Sequence, residues 1–279
     1  MLKSSITFKN KDIDSIAIGG FDGMHKAHLH LLSHLDKNGA LLIVQKESAF
    51  SLTPKERRCG YTKHPCIFLE FEKIKEMSVE DFILFIKKNF PSLKKIVVGY
   101  DFRFAKNRSG KPDDLKMLEN VEVVVVDEQK IGKIPIHAGT IKEFLKNANI
   151  EAANKLLGRE YAITARVIKG QGLGRKKLFA TFNLDTDNFF IPKEGVYITF
   201  ATINERRYPS LTFIGNRLST DSKFSIETHI LEEEAFDETF ELSVSFLSYL
   251  RENRKFENLD DLKEEISKDI QKAKEYFKL

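Results

Sequence analysis

Two periodicities divide the chain. In the first half, short apolar runs alternate with segments whose apolar residues recur every three to four positions. Residues 15–20 form a short apolar run, 26–35 a helical segment and 40–44 a second run, followed by an irregular stretch over 47–65. Residues 66–71 alternate as a strand does. Ser78 opens a helix, with Asp81 three positions on as a capping-box partner and Phe82, Leu84, Phe85 and Ile86 as its apolar stripe. The β-branched runs 96–99 and 121–126 have the composition of strands buried on both faces, and Pro112 suits the first turn of a helix between them. This alternation predicts a doubly wound α/β domain, which binds its ligand outside the carboxyl ends of its strands.

Helices predicted over 141–147 and 150–157 end at Gly158, and there the texture changes. The segments 161–168, 195–203, 208–214, 224–231 and 240–246 are strand-like and separated by turn residues, a spacing that predicts an antiparallel barrel or sandwich. A last helix over 260–277 carries Leu262, Ile266, Ile270, Ala273 and Phe277 on one side. The expected domains are therefore 1–157 and 158–279.

Composition narrows the function only slightly. The 279 residues include 45 basic and 41 acidic side chains, a net charge of +4, with 42% hydrophobic and 31% charged residues. That is the balance of a globular protein with a real core. Without Trp, a Lys/Arg-rich arm or an aromatic RNA-binding signature, the chain is not expected to bind nucleic acid. The first residues carry no apolar core of a leader, and no segment approaches the ~20 apolar residues of a membrane span. Two cysteines imply no disulfide framework, so the expected compartment is the reducing cytoplasm. Cys59, His64 and Cys66 lie close together, but without a fourth ligand they fit a polar loop with two thiols better than a metal site. The oligomeric state is not legible from the sequence.

The chemistry concentrates in two places. The first is Ile18-Gly19-Gly20-Phe21-Asp22-Gly23-Met24-His25-Lys26-Ala27-His28, where an apolar strand enters a glycine-bearing turn and a helix leaves it. Glycines allow close approach of backbone to ligand, and amides at a helix start attract phosphate. His25 and His28, three apart, share a helix face and could stabilise charge developing on a triphosphate. The second is the stretch 167–184. Gly170, Gly172 and Gly174 with Arg175, Lys176 and Lys177 make a basic loop able to wrap phosphates, and Ala180-Thr181-Phe182-Asn183 follows. A Thr hydroxyl and an Asn carbonyl are oxygen donors of the kind Mg²⁺ accepts. Further on, Ile226, Thr228 and Ile230 face one way along a strand, and Glu227 and His229 the other.

The first string resembles the signature of prokaryotic FAD synthetases, within the wider HxGH nucleotidyltransferases. Val97-Val98-Gly99-Tyr100-Asp101-Phe102-Arg103-Phe104 looks like that family's second motif, and Leu156-Leu157-Gly158-Arg159 like its junction between modules. Ala180-Thr181-Phe182-Asn183 resembles the Pro-Thr-Ala-Asn motif of riboflavin kinases. Gly195-Val196-Tyr197, Ile214-Gly215-Asn216-Arg217, Ile226-Glu227-Thr228-His229 and Leu250 to Phe256 follow in that family's order. The whole chain thus resembles the prokaryotic bifunctional riboflavin kinase/FMN adenylyltransferase family.

The resemblance implies a Rossmann-like HxGH nucleotidyltransferase domain followed by a six-stranded riboflavin kinase barrel with a C-terminal helix. It implies that riboflavin is phosphorylated to FMN and FMN adenylylated to FAD, with ATP as co-substrate and Mg²⁺ as cofactor. In the first module it assigns His25 and His28 to catalysis, Gly19, Phe21, Asp22, Gly23 and Lys142 to ATP, and Asp101 and Arg103 to FMN. In the second it assigns Glu227 as general base, Gly170, Gly174, Lys176 and Thr181 to ATP, Thr181 and Asn183 to the metal, and Arg254 to flavin. Three departures bear on adenylylation. Ala27 stands where the family has glycine between the histidines, and Ala105 where its second motif ends in glycine. The Ser/Thr/Arg-rich triphosphate motif falls on Ile136-His137-Ala138-Gly139-Thr140-Ile141-Lys142, where Lys142 keeps a charge but not the guanidinium fork. A kinase with a weakened first module, and a flavin-binding regulator without turnover, are the two alternatives.

Overall fold

The computed structural model describes residues 11–46, 50–168, 179–219, 222–232 and 241–279, in two compact units, 1–138 and 139–279. The first unit is built on five parallel strands: β1 (Ser15–Gly19), β2 (Gly39–Gln45), β3 (Cys66–Glu70), β4 (Lys95–Gly99) and β5 (Glu122–Val126). Their order, β3-β2-β1-β4-β5, puts the topological switch between β1 and β4, where a doubly wound sheet opens its ligand crevice.

Alternate residues of the central strands enter separate cores. Ile16, Ile18, Leu42, Ile96 and Val98 pack with Phe82, Ile83 and Ile86 of helix α3 (Val79–Asn89); the short α2 (Phe71–Ile74) precedes it. Ala17, Leu41, Ile43 and Val97 pack instead with Leu31 and Leu32 of α1 (Lys26–Leu32). Burial on both faces is why these strands are uniformly apolar. Ser78 and Asp81 form the expected capping box of α3. Pro112 opens a 3₁₀ helix, Pro112–Met117, rather than an α-helix. α1 stops at Leu32, short of the predicted residue 35, because the His34 and Leu35 amides bond back three residues, to Leu31 and Leu32, rather than four. A small hairpin of β6 (Lys130–Ile131) and β7 (Ile134–Pro135), absent from the sequence prediction, follows β5.

In the second unit, α4 (Ala138–Lys146) and α5 (Ile150–Leu157) precede a closed antiparallel barrel. Its strands are β8 (Tyr161–Ile168), β9 (Phe182–Asp185), β10 (Gly195–Ile203), β11 (Arg206–Asn216), β12 (Phe224–Ile230) and β13 (Glu241–Arg251), in the order β10-β11-β12-β9-β8-β13. Closure leaves no free sheet edge. Gly158 caps α5 in the left-handed conformation, at φ 80°. The Asn154 carboxamide ties α5 to the barrel, donating to the Phe246 carbonyl at 2.9 Å and accepting from the Tyr161 amide at 2.7 Å. Inside, Thr199, Ser210, Thr212 and Thr228 are fully buried and link hydroxyl to hydroxyl at 2.8–2.9 Å. Helix α6 (Leu259–Phe277) closes against Val196, Ile198 and Leu211 through Ala273, and buried Asp269 accepts from the Arg251 guanidinium at 2.7–3.0 Å.

One expectation is corrected. Cys59 and Cys66, taken as two thiols in a polar loop, are paired as a disulfide with their Cα atoms 6.1 Å apart. The 3₁₀ turn Lys55–Tyr61 folds Cys59 back onto the start of β3, a proximity that residue spacing alone does not reveal. His64 Nδ1 lies 3.0 Å from the Gly39 carbonyl.

Candidate active sites

The first site lies at the carboxyl end of β1. The turn that leaves the strand is tight: Phe21 (φ 50°), Gly23 (φ 87°) and Met24 (φ 39°) all have positive φ, and the Met24 amide closes it on the Phe21 carbonyl at 3.3 Å. For the two L residues this backbone costs energy and persists only where the surroundings hold it. Both are buried, Phe21 at 2% and Met24 at 0% exposure.

The turn delivers two imidazoles in register. His25 is the N-cap of α1, its Nδ1 accepting from the His28 amide. The His25 and His28 rings stack with centroids 3.6 Å apart, and Phe21 meets His28 edge-on at 5.2 Å. Gly20 has open space where a Cβ would stand. Asp22 accepts from the Thr53 amide at 3.1 Å. Ala27 sits half-buried between the histidines.

Asp101 and Arg103 follow β4, the strand beside β1. A Cβ on Gly99 would stand 3.0 Å from an Asp101 carboxylate oxygen, so that glycine makes room for the aspartate. The Arg103 guanidinium donates to the Phe102 carbonyl at 2.7 Å. Ala105 has a backbone that favours glycine, at φ 61° and ψ 175°.

A cluster that the sequence did not single out stands at the same edge. The hairpin register pairs Lys130 with Pro135, and the Ile136 amide bonds to the Gln129 carbonyl at 2.9 Å; the next cross-strand pair is Glu128 with His137. Tyr100 donates to Glu128 at 2.9 Å and lies 3.1 Å from His137 Nε2. With the phenol proton committed to Glu128, it is His137 Nε2 that donates. Lys130, Tyr100 and His137 hold the Glu128 carboxyl down to about 2, while partial desolvation and the Glu128 carboxylate push Tyr100 up to about 12. The β6–β7 hairpin sets Glu128 opposite His137 and the β4–β5 pairing brings Tyr100 to them, so no local pattern announced the cluster.

The second site lies on the barrel wall. Glu227 on β12 pairs directly with Asn183 on β9, and Thr181 Oγ1 donates to Glu227 Oε2 at 3.5 Å. Ser225 donates to the other carboxylate oxygen at 3.0 Å, and the Arg217 guanidinium lies 3.5 Å from it. Thr181, Asn183 and Glu227 come from segments more than forty residues apart, yet β9 brings them to one patch. Sequence reasoning missed β9 as a strand, and also missed Ser225 and Arg217 as neighbours of the carboxylate. His229 donates through Nδ1 to the Ala180 carbonyl at 2.7 Å, and burial lowers its pKa from the ordinary imidazole value.

Arg254 follows β13 and is engaged by α6. Its guanidinium is 2.5 Å from Glu265 of α6 and stacks over Phe256. The neighbouring Asn253 and Phe256 bond to Asn216 and Ser219, so the segment runs beside the loop after β11. Lys142 lies on α4 in the second unit, 5.8 Å from the Phe190 ring centroid. Gly170, Gly174 and Lys176 lie outside the described residues.

A doubly wound sheet with paired histidines at its switch point, followed by a closed barrel carrying a threonine–asparagine–glutamate patch, defines a two-module nucleotide-using transferase. Comparison with known proteins resolves the class. The FAD synthetase family model matches residues 41–139 and the riboflavin kinase model residues 157–277. The bifunctional riboflavin kinase/FMN adenylyltransferase of Buchnera aphidicola subsp. Schizaphis graminum is 30% identical, covering 95% of this chain and 94% of its own. Its namesake in Escherichia coli strain K12 is 26% identical over 95% of this chain and 93% of its own. The chain belongs to the bifunctional riboflavin kinase/FMN adenylyltransferase family. A solved structure described as a macrolide-efflux protein from Streptococcus pneumoniae superposes with a TM-score of 0.84 over 95% of each chain. At 22% identity that likeness shows the fold alone. Among the described residues no helix is long and apolar enough to cross a membrane.

Proposed function

We infer that this enzyme makes flavin cofactors from ATP, phosphorylating riboflavin to FMN at the barrel and adenylylating FMN to FAD, with release of pyrophosphate, at the parallel sheet. The observation that carries the reading is the convergence of Thr181, just before β9, with Asn183 on β9 and Glu227 on the paired β12. In the kinase step, Glu227 takes the proton of the terminal ribityl hydroxyl as that oxygen attacks the γ-phosphorus and the bond from the γ-phosphorus to the bridging oxygen breaks, releasing ADP. Ser225 and Arg217 keep the carboxylate aimed. The donor set of Thr181 hydroxyl and Asn183 carboxamide oxygen fits Mg²⁺, which would be held there beside the ATP phosphates and would neutralise their charge. Gly170, Gly174 and Lys176 complete the ATP site, and Arg254 borders the flavin.

In the adenylylation step, an FMN phosphate oxygen attacks the α-phosphorus of a second ATP and pyrophosphate leaves, so no protein nucleophile is required. His25 and His28 donate to the phosphates as charge builds up on them. Gly19, Phe21, Asp22 and Gly23 shape the turn around the nucleotide, and Asp101 and Arg103 border the FMN. The chemistry requires a compartment that supplies ATP, as the cytoplasm does. One incubation with riboflavin, ATP and Mg²⁺ tests the whole reading: chromatography is expected to show FMN and then FAD. FMN alone would reduce the reading to a kinase, and neither product would leave a flavin-binding protein without turnover.

A further inference from the structure

Arg58 is among the few charged residues in the interior, 6% exposed, and it lies in the stretch 47–65 that the sequence leaves irregular. Burying a guanidinium is costly, and the residue retains it only against specific partners. Those partners are the turn that carries the histidines and the segment that braces it. Nη1 donates to the Gly20 carbonyl at 2.9 Å, across 38 residues of sequence, and Nε donates to the Thr53 carbonyl at 2.9 Å. The Thr53 amide in turn donates to Asp22 Oδ1 at 3.1 Å. The path Gly20–Arg58–Thr53–Asp22 therefore closes on both sides of Phe21, the first left-handed residue of the turn. Burial lowers the proton affinity of Arg58, and the carboxylates of Asp22 and Glu56 oppose that shift.

We propose that Arg58 is the positioning residue of the adenylyl-transfer site: its fork fixes the Gly20 carbonyl and the Asp22 brace, and so holds the turn that stacks His25 on His28. This rests on the reading of the first unit as an FMN adenylyltransferase. Phe21 and Met24 adopt backbone conformations that L residues leave when they can. An arginine can bridge two carbonyls from one rigid plane, and a lysine ammonium reaches only one of them well. Once the bridge is gone, the turn relaxes, and the imidazoles drift from the phosphates whose developing charge they meet. Such loss of orientation falls on the transfer step, where a displacement of ~1 Å costs on the order of 10²-fold. Substrate binding, spread over many contacts, changes little.

The test uses the full chain and two assays on each preparation, FAD from FMN and FMN from riboflavin. Arg58→Ala is expected to lower kcat for FAD formation by about 10²-fold with the ATP KM within threefold of wild type. Arg58→Lys should fall between the two, and FMN formation should stay within a factor of two in both. Should Arg58→Ala fail to fold, judged by its thermal transition, Arg58→Lys decides the matter. Wild-type kcat for FAD formation in either folded variant overturns the proposal, as does an equal fall of both activities. If the unsubstituted chain makes FMN but no FAD at any ATP concentration, the adenylyltransferase reading itself fails, and this proposal with it.

Discussion

At Glu227 three neighbours set what the carboxylate can do: Ser225 donates to one oxygen, Thr181 to the other, and the Arg217 guanidinium lies 3.5 Å away. Glu227→Gln preserves the shape and removes the proton acceptor. FMN formation should slow by roughly 10²- to 10⁴-fold while riboflavin binding, followed by fluorescence quenching, is kept. Turnover within threefold of wild type would remove Glu227 from the base's role. Ala105 poses a different residue-scale question. Its backbone, φ 61° and ψ 175°, lies in a region almost reserved for glycine, at a cost on the order of 1–3 kcal/mol. Ala105→Gly relieves that strain but adds freedom to the unfolded chain worth about 0.4–1 kcal/mol. A net gain of about 1 kcal/mol is expected, seen as a higher thermal midpoint; a lower midpoint would place the strain elsewhere.

Among the elements, α5 shows how a helix at a domain junction acquires its allegiance. Ile150, Ala153, Leu156 and Leu157 are at most 2% exposed, and Asn154 bonds to both β8 and β13. Burying such side chains contributes about 1.5–3 kcal/mol for each large one. The barrel fragment should therefore carry its two preceding helices. A fragment of residues 139–279 is expected to fold and to phosphorylate riboflavin with Mg-ATP. A fragment of residues 158–279, which keeps every barrel strand but bares the surface under α5, should melt at a clearly lower temperature. Equal midpoints for the two would show that α5 adds nothing to the barrel.

On the scale of the whole molecule, two chemistries share one chain and one co-substrate, each on its own architecture: a parallel sheet open at its switch point and a barrel without edges. Their sites draw on separate units, so a substitution in one should leave the other working. His28→Ala removes one of the two stacked rings at the end of β1. FAD formation at saturating ATP should collapse by about 10²- to 10³-fold, the usual cost of losing one donor to developing charge. FMN formation by the same preparation should stay within a factor of two. A parallel loss of both activities would mean that His28 supports folding rather than transfer.

Local pattern alone determined a good deal of this protein. The run 96–99 is β-branched because both faces of β4 are covered, so burial is written in each residue's own character; β5, at the sheet edge, has the same composition although Val125 is 44% exposed. The Ser78–Asp81 cap and the Gly158 stop are likewise contacts within one turn of helix. Tertiary structure decided the rest. β9 has only four residues and little pattern of its own; it is a strand because β8 and β12 both offer it hydrogen bonds, and that pairing sets Asn183 opposite Glu227. The hold of Arg58 on Gly20 joins segments 38 residues apart, while the Cys59–Cys66 and Glu128–His137 pairs, 7 and 9 residues apart, depend on turns whose geometry the local pattern does not announce. Side-chain type and spacing encode which face of an element is apolar. Which polar group meets which, across tens of residues, is known only once the apolar faces have packed and the remaining donors must find acceptors.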